Sequence, residues 1–280
     1  MTFAIDNLAP ANVDLAVEWA AREGWNPGLN DARCFATADA SGFFIGSKDG
    51  EPIASISLVK YDAKFAFLGL YIVAPAHRGQ GYGLALWNAA LATASGRSVG
   101  LDGVVAQQEN YKRSGFRLAY RNVRYRGVRG ESRAIDARVV PLSSLKLSDV
   151  LAYDALMFGA HRDAFLRCWI VQPESKALAV VRDGHIAGYG VLRRCRQGYK
   201  FGPLFADEAS LADALFNALA MHVAQGEEMF LDVPEPNKSA VALAERHAMS
   251  IVFETARMYA GQAPRIPIER VFGVTTFELG

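Results

Sequence analysis

The elements read from the first half of the chain return in the same order in the second, and such a duplication restricts the fold more tightly than any single motif. In the first half, residues 2–7 alternate like a strand, and residues 11–22 place Val13, Val17 and Ala20 on one helical face. The turn formers of 23–28 come next, and then strands at 42–47 and 52–59 flank an Asp49-Gly50 hairpin signal. A strand at 65–73 passes through a glycine-rich turn into a helix near 81–94 whose Leu84, Trp87, Leu91 and Ala94 share a side. A strand at 98–102 and a strand pair ending near Arg126 close the half.

In the second half, helices at 146–158 and 163–171 precede strands at 177–182 and 186–193 around Asp183-Gly184. A strand at 200–205, a helix near 211–223 and a strand at 229–233 follow. Phe216-Asn217 stands where the first half has Trp87-Asn88, and Leu231-Asp232 answers Leu101-Asp102. Arg257-Met258-Tyr259-Ala260-Gly261 answers Arg124-Tyr125-Arg126-Gly127. Repeat solenoids have units of roughly 20 to 50 residues, so a period this long marks one domain copied once. The 280 residues, 51% of them hydrophobic, supply two cores. The expected domains are 1–130 and 137–280, with the arginine-rich stretch 127–137 as linker.

Thirty basic against 29 acidic residues leave a net charge of +1, which provides no global field for nucleic acid or an acidic membrane. Cys34, Cys168 and Cys195 are scattered and odd in number, and the five histidines lack ligand spacing, so neither disulfides nor a metal site is expected. The opening residues lack the pattern of a signal peptide, and no apolar run approaches the length of a membrane span. The expected setting is soluble and cytoplasmic.

The chemistry-bearing motif is the turn Arg78-Gly79-Gln80-Gly81-Tyr82-Gly83, which follows the strand end Leu70-Tyr71-Ile72-Val73-Ala74-Pro75. Glycines admit an anion close to the backbone, the first N–H groups of the helix point at it, and Arg78 adds a guanidinium, a combination suited to a pyrophosphate. A tight strand-to-helix connection would also use such glycines, and the residues alone leave that reading open. The pattern is neither a P-loop nor the dinucleotide G-x-G-x-x-G.

With Ile72-Val73-Ala74-Pro75 ahead of the Arg-x-x-Gly-x-Gly turn, and Asn110-Tyr111-Lys112-Arg113-Ser114-Gly115-Phe116 further on, the first half resembles the GNAT superfamily of N-acetyltransferases. The resemblance implies acetyl-CoA as cofactor, with Tyr71, Ile72 and Val73 along pantetheine and Arg78, Gly79, Gln80, Gly81, Tyr82 and Gly83 at the pyrophosphate; Asn110 belongs to the second signature. It implies Tyr111 as general acid toward the departing thiolate, a residue that as a bare tyrosine also suits a pocket rim. An N–H near Val73 would meet the oxyanion. Asp102 has two readings, orienting the acceptor amine or holding the fold, because Asp232 repeats it where no phosphate turn exists. Trp25, Asn26 and Asp31 fall where this superfamily lines its acceptor pocket, although a lone tryptophan also plugs cores. His77 reads as a solvent-facing turn residue rather than a catalytic base, and arginines 113, 117, 121, 124 and 126 read by default as a solvated strand face, with contact to the CoA phosphate or an acidic acceptor as the alternative.

Where the second half should repeat the phosphate turn it reads Phe201-Gly202-Pro203-Leu204-Phe205-Ala206-Asp207-Glu208, whose acidic helix start repels a pyrophosphate. The chain is therefore similar to bacterial tandem-GNAT proteins with one active and one degenerate domain. The implied fold class is α/β (α+β): two tandem domains, each a twisted, mostly antiparallel mixed sheet flanked by helices. The implied function is acetyl-CoA-dependent acetylation of a primary amine on a small molecule, amino acid or peptide by direct attack in a ternary complex. A non-catalytic acyl-CoA sensor or scaffold is the competing class. A transferase using aminoacyl-tRNA fits less well with the complete phosphate turn and near-neutral charge.

Overall fold

The computed structural model describes residues 2–130 and 136–280, so that 131–135 of the expected linker lie outside the described residues. The first half contains β1 (Phe3–Asn7), α1 (Val13–Arg22), α2 (Asp31–Ala38), β2 (Phe43–Lys48), β3 (Glu51–Lys60), β4 (Phe65–Val73), α3 (Tyr82–Ala92), β5 (Ser98–Val104), α4 (Gln108–Arg113) and β6 (Arg117–Val128). The second contains β7 (Val139–Pro141), α5 (Leu147–Phe158), α6 (Asp163–Trp169), β8 (Ser175–Arg182), β9 (His185–Arg194), β10 (Tyr199–Ala206), α7 (Ala209–Ala220), β11 (Glu228–Pro234), α8 (Lys238–Arg246), β12 (Ser250–Ala260) and β13 (Val271–Gly273).

Local chemistry explains most of these elements. Both Asp-Gly turns have positive φ at both residues, 50° and 87° at Asp49-Gly50 and 52° and 77° at Asp183-Gly184, the geometry that matches the twist of hairpin strands. Helix α1 buries Val13, Ala16, Val17 and Ala20 on its sheet-facing stripe. Helix α8, which the periodicity does not reveal, is capped by Asn237, whose side chain accepts from Ala240 N at 3.1 Å.

The pairing of the strands departs from the expectation of two separate sheets. The order is β1-β2-β3-β4-β5-β12-β6-β11-β10-β9-β8-β7, so one continuous sheet runs through both halves, and the two strands near its middle are exchanged. β12 of the second half lies between β5 and β6, while β6 of the first half lies between β12 and β11. The strand pair expected to end near Arg126 is instead the single long strand β6, whose neighbours both come from the other half.

Charge fixes this exchange. Asp102 on β5 sits opposite Arg257 on β12 and receives its Nε at 2.8 Å and Nη2 at 2.6 Å, with Asn122 Nδ2 of β6 adding a third donor at 2.8 Å. Asp232 on β11 sits opposite Arg124 on β6 and receives its Nε at 2.6 Å and Nη2 at 2.7 Å. All four side chains are buried. Burial alone would raise the Asp232 carboxyl, but Arg124, with Lys200 and Arg193 beside it, outweighs that and holds it below the ordinary range. Arg124 therefore does not belong to a solvated strand face. Cys34 of α2 and Cys168 of α6 also meet across the halves as a disulfide with Cα atoms 5.3 Å apart, which corrects the expectation of unpaired cysteines. Sequence spacing cannot show a contact between residues 134 positions apart.

Removing one partner of such a pair strands a buried charge. Arg257→Ala is expected to lower unfolding free energy by about 3–5 kcal/mol, read as a fall in the urea midpoint; a loss below about 1 kcal/mol would mean that Asp102 is solvated in the native state.

Candidate active site

β4 and β5 pair in parallel only where Phe65–Leu68 face Ser98–Leu101, and beyond that they part. Leu70 adopts a left-handed φ of 48° beside a register shift against β3, and Ser55 Oγ donates to its carbonyl at 2.9 Å. Three cavities open around the parted ends. A cleft of about 640 Å³ is lined by Trp25, Tyr71, Val73, Arg78, Tyr111 and Phe253, among others. A groove of about 740 Å³ runs between α3 and α4 past Leu84, Trp87 and Asn110. A pocket of about 50 Å³ lies at the apex of the splay, between Gly69, Asp102, Gly103, Tyr111, Phe277 and Glu278.

The turn before α3 is shaped for an anion. Gly79 and Gly81 have φ of 74° and 85°, and a Cβ on either would meet no atom within 4 Å, so glycine serves the backbone conformation and leaves an open cradle. Gly81 caps α3 without a side-chain bond, and Ala85 N bonds back to Gly81 O, leaving the N–H groups before it without an intrahelical partner. At Gly83 the reason is different: a Cβ would stand 2.6 Å from Tyr71 Oη, so glycine lets the helix approach the strand. Arg78 does not lie over the glycines. Its Nε donates to Val73 O at 2.8 Å and its Nη2 to Glu23, at the lip of the cleft.

Tyr111 lines all three cavities. Its ring stacks on Trp87 at 5.5 Å and against Gly103, where a Cβ would come within 2.2 Å of the ring. Burial, with Tyr71 nearby, pushes the phenol up to about 12, so it keeps its proton at neutral pH.

The other expected site residues divide. Tyr71, Ile72, Val73, Gly79, Gly81 and Gly83 line the cleft, and Trp25 lines both the cleft and the apical pocket. Asn110 borders the groove and bonds Gln107. Gln80 folds back onto Ala76 O at 3.0 Å and Tyr82 packs on Phe3 at 4.8 Å, both turned from the cleft. Asn26 clamps the backbone of Gln197 in both directions and its carbonyl accepts from Lys200 Nζ, which makes it a tie between the halves. Asp31 is buried and accepts from Arg193 Nε and Gly28 N. Asp102 borders the apical pocket with its oxygens already filled by Arg257 and Asn122. His77, read as solvent-facing, lines the cleft with a buried Nδ1 that makes no hydrogen bond. Phe253, Phe277 and Glu278 were not legible as site residues; the one signal is Glu278, the sole carboxylate in an otherwise uncharged buried run from Val271 to Gly280.

The second half shows the same splay filled by the chain itself. β10 and β11 pair in parallel only over Tyr199–Phe201 and Met229–Leu231. β13 then pairs with β10, and Val274 N donates to Asp232 O of β11 at 2.9 Å. At the start of α7, Asp207 accepts from Tyr153 and Arg270, and Glu208 from Arg182, which closes that helix end to an anion.

Comparison with known proteins agrees with this architecture. The model of the acetyltransferase (GNAT) family matches residues 12–116, and that of an acetyltransferase (GNAT) domain matches 150–273. The holothin acyltransferase of Pseudoalteromonas sp. (strain SANK 73390) is 32% identical over 263 residues, covering 94% of this chain and 90% of the relative. A solved structure from Pyrococcus horikoshii, assigned provisionally as an acetyltransferase, superposes with a TM-score of 0.85 at 21% identity over 99% of this chain and 96% of that one. A tandem GNAT protein from the clavulanic acid biosynthesis pathway superposes at 0.64 with 14% identity, over 94% and 100% of the two chains. These two structures share the fold. The chain belongs to the GNAT family of acyltransferases and carries two GNAT domains in tandem.

Leu84, in the first turn of α3, is 61% exposed and borders both cleft and groove. Leu84→Glu is expected to weaken coenzyme A binding about tenfold, by placing a carboxylate at the anion cradle, while the melting temperature stays unchanged. Unaltered affinity in calorimetry would move the diphosphate away from this turn.

Proposed function

We propose that the chain transfers an acetyl group from acetyl-CoA to a primary amine of a small molecule, amino acid or peptide, by direct attack within a ternary complex. Acyl transfer from a thioester to an amine asks a protein to hold the donor, to supply a proton to the leaving sulfur and to receive protons from the amine. Acetyl-CoA supplies the activated acyl group. The open cradle at residues 79–84 fits its diphosphate, and the Tyr71–Val73 end of β4 offers backbone to its arm.

One observation carries the reading: Tyr111, a phenol whose proton is retained at neutral pH, stands where groove, cleft and apical pocket converge. A sensor or scaffold has no use for a proton donor at that junction. We assign Asp102 to holding the fold, since three donors already occupy it. The plugged splay and acidic helix start of the second half support a single donor site per chain. The proposed domains remain 1–130 and 137–280, divided in the connection between β6 and β7. Holothin, named for the relative, is the first acceptor to try.

Tyr111→Phe removes only the hydroxyl. Thiol release from acetyl-CoA in the presence of holothin and a panel of primary amines is expected to fall about 10²-fold in kcat, with coenzyme A affinity unchanged. Full turnover in this variant would return Tyr111 to a packing role.

A further inference from the structure

The buried carboxylates around the junction of the two halves are matched with donors, with one exception. Asp31 is held by Arg193 and Gly28 N, Asp102 by Arg257 and Asn122, Asp154 by Arg162 and Tyr189, and Asp232 by Arg124. Glu278 is 3% exposed and, among the described residues, makes no hydrogen bond or ion pair; its Oε1 is fully buried without a partner. A buried polar group left in that state in a native fold calls for a ligand or a chemical role.

Its placement is not loose. A Cβ on Gly69 would stand 1.8 Å from the Glu278 carbonyl oxygen, so the segment packs directly on β4 where the splay begins. Tyr61 Oη donates to Leu279 O at 2.6 Å, Leu279 N to Thr276 Oγ1 at 2.9 Å, and Arg162 Nη2 to Thr275 Oγ1 at 2.8 Å, pinning the chain on both sides. Glu278 thereby floors the apical pocket that Tyr111 also lines. At about 50 Å³ that pocket takes a small head group and not the body of an acceptor, which has the cleft beside Trp25 and Phe253.

We propose that Glu278, delivered by the second half, receives the ammonium group of the acceptor in the apical pocket and takes its proton. The inference rests on the acetyl-transfer reading above, and it narrows the acceptor to a primary amine whose body is apolar or flat. The acceptor enters as R–NH₃⁺ and gives one proton to the carboxylate of Glu278. The freed lone pair forms the C–N bond at the thioester carbonyl carbon, and the C–S bond breaks with its electron pair on sulfur. Sulfur takes the proton of Tyr111, Tyr111 regains one from the nitrogen, and Glu278 releases its own to water. The products are the amide, the thiol and one proton.

Burial pushes the Glu278 carboxyl up, and Lys200, Arg124 and Arg193 offset this in part while Asp31 adds to it. The base must be ionised, so turnover is lost as pH falls through that raised value. The test compares the full-length native chain with Glu278→Gln and Glu278→Asp, using acetyl-CoA with holothin as acceptor probe across pH 5 to 9. Glu278→Gln should bind coenzyme A like the parent and lose about 10²-fold in kcat, with the acid limb of the native kcat/KM profile gone. Glu278→Asp should restore part of the rate. A Gln variant within threefold of native turnover and with the native pH profile overturns the inference alone. If Glu278→Gln does not fold, the native profile decides: an acid limb above the ordinary glutamate range supports the role, and a flat rate down to pH 5 overturns it. A native chain that binds coenzyme A and acetylates neither holothin nor any amine of the panel overturns the proposed function and this inference together.

Discussion

Two buried aspartate–arginine pairs in the middle of the sheet, each made of one residue from either half, lock the exchanged strands in place. Asp102 faces Arg257 and Asp232 faces Arg124, at equivalent places in the duplicated pattern. Neither half owns both members of either pair. An ion pair taken out of water is not by itself a strong source of stability, but breaking one is severe, and each guanidinium lies opposite its aspartate in the strand register. The pairs therefore act as register locks for β6 and β12, since a one-residue slip would turn each guanidinium away from its aspartate. A closed sheet interior also removes the exposed edges that β5 and β11 would otherwise present.

The exchange brings the segment beyond β12 to the junction, where it has opposite effects on the two splays. β13 fills the gap between β10 and β11, and the same segment then floors the gap between β4 and β5 with Phe277 and Glu278. One splay is thus filled by the chain while the other keeps a small pocket. The two splays are therefore unequal, and the second half lends Phe253, Phe277 and Glu278 to the lining of the cavities around the first.

What could be read in the sequence was whatever depends on neighbours along the chain. The Asp-Gly hairpins follow from local backbone requirements, and the structure has them where the pattern puts them; Tyr111 stood out only through the resemblance carried by residues 110–116. Long-range pairing was not legible. Arg124 sits in a run of arginines that resembles a wet strand face, and its burial depends on Asp232, 108 positions away. Cys34 and Cys168 look unrelated until α2 and α6 pack together. Glu278 lies outside every recognisable motif, and its significance comes from what does not touch it.

The two halves depend on each other to fold, and expressing them separately probes that dependence. Residues 2–130 and 136–280 are produced apart and together, and each sample is assessed by circular dichroism, thermal unfolding and coenzyme A calorimetry. The exchange predicts that neither piece folds alone, because each lacks its inserted strand and buries a lone carboxylate, and that the mixture folds and binds one coenzyme A per pair. A first-half fragment that unfolds cooperatively by itself and binds coenzyme A with the affinity of the whole chain would show that the halves fold independently.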